Sequence, residues 1–110
     1  MMLITDAMPA AAGGPDSFEL QGRTVTRSKG RLSLSDGTLA GSDLTMDAAV
    51  RHCVDLPGLD LGDVLRMASL NPAAFLRRDD ELGRIAPGYL ASMVLLGDDL
   101  QVKRTWIDGT

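Results

Sequence analysis

Cysteine and histidine are nearly absent: each occurs once, as Cys53 and His52. A single cysteine forms no intrachain disulfide, which excludes a secreted disulfide scaffold. With only one histidine beside it, a zinc site made mainly of His and Cys cannot be assembled within the chain. Aromatic residues are 4% of the sequence against 45% hydrophobic overall, so the core must be aliphatic, built from Leu, Val, Ala and Met. An excess of positive charge is also lacking: 11 basic against 15 acidic residues leave a net charge of −4. That balance provides no basic face, and so argues against nucleic acid and against an anionic membrane surface as partners. No apolar run approaches the ~20 residues of a membrane span. The opening Met1-Met2-Leu3-Ile4-Thr5-Asp6 has neither the cationic region nor the long apolar run of a signal peptide. The cytoplasm is the expected location, and 110 residues hold at most one small domain.

The hydrophobic period changes along the chain. Leu3-Ile4-Thr5 reads as the end of a buried strand that stops at Asp6. Breakers Pro9, Gly13, Gly14 and Pro15 mark residues 8–16 as loop. Phe18-Glu19-Leu20, Thr24-Val25-Thr26 and Leu32-Ser33-Leu34-Ser35 alternate or are β-branched, and Asp36-Gly37 is a strong turn dipeptide. Residues 18–35 are therefore expected to form two or three short antiparallel strands with one apolar face to cover. From Ser42 the period becomes helical: Met46, Ala49, Val50, Cys53 and Val54 share one face, with Ser42 or Thr45 as cap and Pro57-Gly58 as stop. A second helix is expected from Leu61 to Ser69 behind an Asp60 cap. A third opens at Asn71-Pro72, with Asn as cap and Pro at the first helical position. Pro87-Gly88 signals a type II turn. Residues 93–96 and 100–107 read as the last strands, with Val102 and Trp106 on one face and Lys103 on the other.

This order is awkward for a self-contained domain. The first strand has no parallel partner to which these helices could return, and a buried parallel strand needs neighbours on both sides. The plain expectation is a piece of something larger.

Five stretches, in order, carry a resemblance. They are Leu3-Ile4-Thr5-Asp6-Ala7-Met8-Pro9, Asp36-Gly37-Thr38-Leu39-Ala40-Gly41-Ser42-Asp43-Leu44-Thr45-Met46, Leu65-Arg66-Met67-Ala68-Ser69-Leu70-Asn71-Pro72-Ala73, Leu82-Gly83-Arg84-Ile85-Ala86-Pro87-Gly88-Tyr89, and Thr105-Trp106-Ile107-Asp108-Gly109. Together they resemble the C-terminal part of N-acetylglucosamine-6-phosphate deacetylases, members of the amidohydrolase superfamily. Asn-Pro-Ala followed by Gly-x-Ile-x-Pro-Gly is common to many amidohydrolases, whereas the Gly-Thr-Leu-Ala-Gly-Ser run is more specific. The sequence departs from the family pattern after Gly88-Tyr89-Leu90-Ala91, where Ser92-Met93 replaces the usual Asp.

The resemblance implies an α/β fragment: the last strand and helices of a (β/α)8 metal-dependent hydrolase barrel, plus C-terminal strands of an accompanying small β-sandwich. A complete barrel needs roughly 250 residues. Residues 1–82 would belong to the barrel, with a β-hairpin insertion at about 18–35, and residues 83–110 to the sandwich. It implies deacetylation of a sugar phosphate, N-acetylglucosamine 6-phosphate, a divalent metal of the zinc or iron class whose ligands all lie outside this chain, and a homo-oligomeric intact enzyme. It also makes Asp6 the general acid/base, which takes a proton from the attacking metal-bound water and returns it to the departing amine. Without it, an Asp at a strand end reads as a loop cap.

The resemblance places Leu39, Ala40, Gly41 and Ser42 at the bound sugar phosphate. There Gly41 permits close backbone approach and the following helix start offers free N–H groups. A tight turn capped by Ser42 is the plainer reading of the same residues. His52 reads as a surface or half-buried helical residue, Cys53 as a core thiol, Met46 and Met67 as core fillers, and residues 77–81 as a solvated loop. Two alternatives stand beside the deacetylase: a different amidohydrolase of dihydroorotase or deaminase type, and a non-catalytic fragment that complements other polypeptide or self-associates.

Overall fold

The computed structural model describes residues 1–110. It is α/β, and its contacts divide it into two units, Thr5–Thr45 and a second made of Met1–Ile4 with Met46–Thr110.

The first unit is an antiparallel meander of four strands: β1 (Ser17–Leu20), β2 (Arg23–Ser28), β3 (Arg31–Leu34) and β4 (Leu39–Ser42), hydrogen-bonded in sequence order. Gly22, Gly30 and Gly37 supply the positive φ that its three reversals require. At the last reversal the Leu34 N–H donates to the Thr38 carbonyl at 2.9 Å, and the Asp36 carboxylate accepts from the Thr38 N–H at 2.9 Å. Directly paired residues share a face of an antiparallel sheet. The pairs Phe18–Val25, Val25–Leu34 and Arg27–Leu32 therefore place an apolar row and one guanidinium on the same side. Val25 and Leu32 are fully buried there with Ala10, which comes from the loop before β1; Met8, Phe18, Leu34 and Ala40 pack around them. The apolar face anticipated for residues 18–35 is thus covered by the chain's own residues 8–10.

The second unit holds α1 (Met46–Val54), α2 (Leu61–Ala68), α3 (Leu70–Phe75) and the antiparallel pair β5 (Met93–Leu96) and β6 (Val102–Trp106). α2 begins as expected, with the Asp60 carboxylate accepting the Asp63 N–H at 2.9 Å. Its Val64 and Met67 are buried, as are Ala49 and Val50 of α1 and Ala73 of α3. The Pro87-Gly88 turn forms with Gly88 at φ +88° and the Tyr89 N–H on the Ala86 carbonyl. The Arg104 guanidinium lies 4.7 Å from the centroid of the half-buried Trp106 ring, on the same strand.

Several local expectations are corrected. Leu3-Ile4-Thr5 is not a strand: the Leu3 N–H donates to the Met67 carbonyl, and Ile4 is 79% exposed. With no neighbouring strand, the ladder that would make it one has no partner. Residues 18–35 belong to a four-stranded sheet, because the segment 39–42 adds a strand instead of leading into a helix. Asn71 does not cap α3; Leu70 is already helical, and the Asn71 amide donates to the Met1 carbonyl. Met46 is 38% exposed and Cys53 only half-buried, so neither is a core filler.

Candidate functional site

Asp6 ends the segment that leads into the first unit, and its backbone is in the left-handed region at φ +52°. Asp tolerates that conformation better than most residues, but surrounding contacts must hold it. Those contacts come from β4. The Ser42 N–H donates to the Asp6 carbonyl at 3.0 Å, and the Met8 N–H donates to the Ser42 carbonyl at 2.9 Å. Ala7 and Ser42 form a parallel bridge between the two bonds. The Asp6 segment is thereby laid along β4.

Gly41 makes this fit possible. It stands at φ +100°, and a Cβ there would lie 2.5 Å from Met8 Cγ and 3.3 Å from the Asp6 carbonyl oxygen. The resemblance implies close approach of substrate at Gly41; the neighbours that crowd it in the structure are the Met8 side chain and the Asp6 carbonyl.

The result is an open concavity of about 540 Å³ within this unit, lined by Asp6, Leu39, Ala40 and Gly41 together with Met8, Leu20, Gln21, Arg23 and Leu34. Four of the five sequence-predicted site residues therefore meet. Ser42 is held next to them by its backbone but is not part of the lining. Its hydroxyl accepts the Leu44 N–H at 2.8 Å. Ser42 ends a strand and does not cap α1, which begins at Met46.

Arg23, Gln21 and Leu20 were not expected in the site. The Gln21-Gly22 reversal carries them there, and its signal in the sequence was the lone Gly22 between two alternating segments. Asp6 is exposed to solvent on this concave face and is its one carboxylate. Asp36, in the reversal between β3 and β4, is held below the usual carboxylate range, first by the Thr38 N–H it accepts, with the Arg23 charge contributing.

Outside this concavity the residues that could do chemistry are dispersed. His52 is exposed on α1. Arg78 pairs with Glu81 at 2.5 Å in a solvated loop. A second concavity, in the other unit, is apolar, with Val50, Leu65, Leu82, Met93 and Trp106 among its walls. No three His, Cys, Asp or Glu side chains are placed to share a metal ion. No helix is long and apolar enough to cross a membrane.

The sequence profile of the amidohydrolase family matches residues 24–110. The chain belongs to the amidohydrolase family. Among relatives of this amidohydrolase chain, it is 46% identical over 110 residues to the N-acetylgalactosamine-6-phosphate deacetylase of Escherichia coli O157:H7, covering 99% of this chain and 29% of that protein. It is 30% identical over 111 residues to the N-acetylglucosamine-6-phosphate deacetylase of Haemophilus influenzae, covering 99% and 29%. The crystal structure of N-acetylglucosamine-6-phosphate deacetylase from Pasteurella multocida superposes with a TM-score of 0.89 at 35% identity, covering 98% of this chain and 28% of that one.

The chain thus spans between 27% and 65% of the length of the curated relatives it matches. Amidohydrolases are generally metal-dependent. The residues of this chain do not by themselves fit a metal site, since its one histidine is remote in sequence from Asp6 and the concavity holds a single carboxylate.

Proposed function

We propose that these residues are the C-terminal part of an amide hydrolase that removes the acetyl group from an N-acetylhexosamine 6-phosphate, releasing acetate and the amino-sugar phosphate. In this reading residues 1–82 complete the barrel of the intact enzyme and residues 83–110 its β-sandwich. The metal ligands lie on polypeptide outside the 110 residues. Asp6 is the general acid/base. An amine is a poor leaving group until protonated, so a carboxylate that accepts a proton from the attacking water and delivers it to the amide nitrogen lowers both barriers. Leu39, Ala40 and Gly41 line the sugar pocket, and Ser42 anchors them to the Asp6 segment.

The observation that carries this reading is the shared concavity. The one carboxylate suited to proton transfer and the Leu-Ala-Gly run line the same wall, joined by the Ala7–Ser42 pairing. The 110 residues alone are expected to be inactive.

The N-acetylglucosamine epimer was the substrate implied by the sequence motifs. The higher identity, 46%, is to a protein named for the N-acetylgalactosamine epimer, which favours that sugar as a second reading. The test is acetate release by the full-length protein from both epimers, with dihydroorotate as a control. Turnover of either acetylated sugar phosphate supports the assignment and names the epimer. Turnover of dihydroorotate alone overturns it in favour of another amidohydrolase chemistry.

A further inference from the structure

The loop that follows Asp6 has almost nothing of its own to hold it. Residues 10–14 read Ala-Ala-Ala-Gly-Gly, without one side-chain donor or acceptor. Glycine and alanine segments carry a high ordering cost or offer little anchorage. Even so, the loop is shaped in detail. Ala12 sits in the left-handed region at φ +57°, Ala10 is fully buried, and the Ala11 N–H closes a turn onto the Met8 carbonyl at 2.8 Å. A non-glycine in that region persists only when its surroundings over-determine it.

One side chain from a distant strand supplies the restraint. Arg27 of β2 projects from the apolar face shared with Val25. Its Nη1–H donates to the Ala10 carbonyl at 2.7 Å and its Nη2–H to the Gly14 carbonyl at 3.1 Å. Nε and Nη2 both donate to Asp16 Oδ1, at 2.9 and 2.6 Å. Its backbone N–H donates to the Asp16 carbonyl at 2.7 Å, and Nη1 lies 4.0 Å from Asp43, the residue after β4. The guanidinium thus grips both ends of the loop and faces the strand end against which Asp6 is paired. A planar fork with five donors can serve two carbonyls and a carboxylate at once; an ammonium cannot hold that geometry.

We propose that Arg27 is a positioning residue for the reaction: by fixing residues 10–16 to β2 it steadies Met8, which the Ala11 N–H and the Ser42 carbonyl both bind, and so reinforces the β4 pairing that presents the Asp6 carboxylate. This rests on the reading of Asp6 as the proton-transfer group. Arg27 touches no reacting atom in that reading, so its removal should slow the chemical step and leave substrate binding in place.

The experiment compares Arg27→Gln, Arg27→Lys, Asp16→Ala and Asp6→Asn in the full-length enzyme, with rates normalised to folded protein by thermal melting. Arg27→Gln is expected to lower kcat by about tenfold to hundredfold, the scale of a misplaced catalytic group, with KM within twofold. Arg27→Lys should recover only part of that loss. Asp16→Ala removes two of the guanidinium's anchors from a residue whose side chain is 80% exposed and so cannot act by unfolding the core. It should lower kcat several-fold at unchanged KM. The proposal is overturned if kcat per folded molecule stays within twofold in both Arg27→Gln and Asp16→Ala while Asp6→Asn is inactive; should Arg27→Gln fail to fold, Asp16→Ala alone decides it the same way. A fully active Asp6→Asn enzyme would instead remove the acid/base reading on which this rests.

Discussion

Gly41 is where the residue scale decides most. Its φ of +100°, and the 2.5 Å that would separate an added Cβ from Met8 Cγ, leave no room for a side chain. Gly41→Ala is expected to destabilise the first unit by ~1–3 kcal/mol through backbone strain. Pairing it with Met8→Ala should relieve only the steric share, since the strain of the left-handed backbone remains. Denaturant unfolding of the single and double variants measures both shares. At this scale the sequence disclosed part of the site and hid the rest. Gly41 and Asp6 could be singled out because their neighbours in sequence form a motif. Arg23 and Arg27 could not, because each takes its place from strand pairing and, for Arg27, from partners 11 to 17 residues away.

The elements show the same division between local and distant causes. α2 was legible because its signals are adjacent: the Asp60 cap, the spacing of Leu61, Val64, Leu65 and Ala68, and the Pro-free interior. Asp60 is held below the usual carboxylate range, chiefly by the Asp63 N–H it accepts. A depressed folded-state pKa means the stabilising contribution is present above the ordinary carboxylate range and is lost as pH falls through the lowered value. Asp60→Ala should therefore fray α2 at neutral pH. Asp60→Asn should keep the cap but flatten the acid-side loss of helix protection, as measured by amide exchange across residues 61–68. β4 was not legible. Leu39-Ala40-Gly41-Ser42 has the composition of a turn, and it becomes a strand only because β3 pairs on one side and the Asp6 segment on the other. The meander depends on Leu32 and Val25, both fully buried. Leu32→Ala should cost ~2–5 kcal/mol and, by loosening β3, disturb the strand that carries the site; equilibrium unfolding checks the magnitude.

At the scale of the whole molecule the notable feature is apolar surface left facing water. Ile85, Phe75, Ile107 and Leu76 are 84%, 72%, 72% and 66% exposed, and β5–β6 is a sheet of only two strands. A lone two-stranded sheet is marginal in water, and the lengths of the relatives give the missing context: the chain spans 29% of the deacetylases of Escherichia coli O157:H7 and Haemophilus influenzae. The isolated 110 residues are expected to self-associate on size exclusion, to show fast amide exchange in β5 and β6, and to release no acetate from either sugar phosphate. A well-protected monomer active by itself would contradict the assignment of its missing parts to other polypeptide. The element-order ground for expecting something larger fails, because Leu3-Ile4-Thr5, the supposed orphan strand, is not a strand. What supports that expectation instead is the exposed apolar surface, with Phe75 in α3, Val94, Leu95 and Val102 in β5 and β6, and Leu76, Ile85 and Ile107 in the segments outside them.

The proposed chemistry turns on the Asp6 carboxylate. The most direct measurement is kcat of full-length Asp6→Asn on the better of the two acetylated hexosamine 6-phosphates, beside the unsubstituted enzyme. Loss of a general acid/base should lower kcat by about 10²- to 10⁴-fold with the protein still folded. A rate within a few-fold of the unsubstituted enzyme would show that proton transfer is carried by another group.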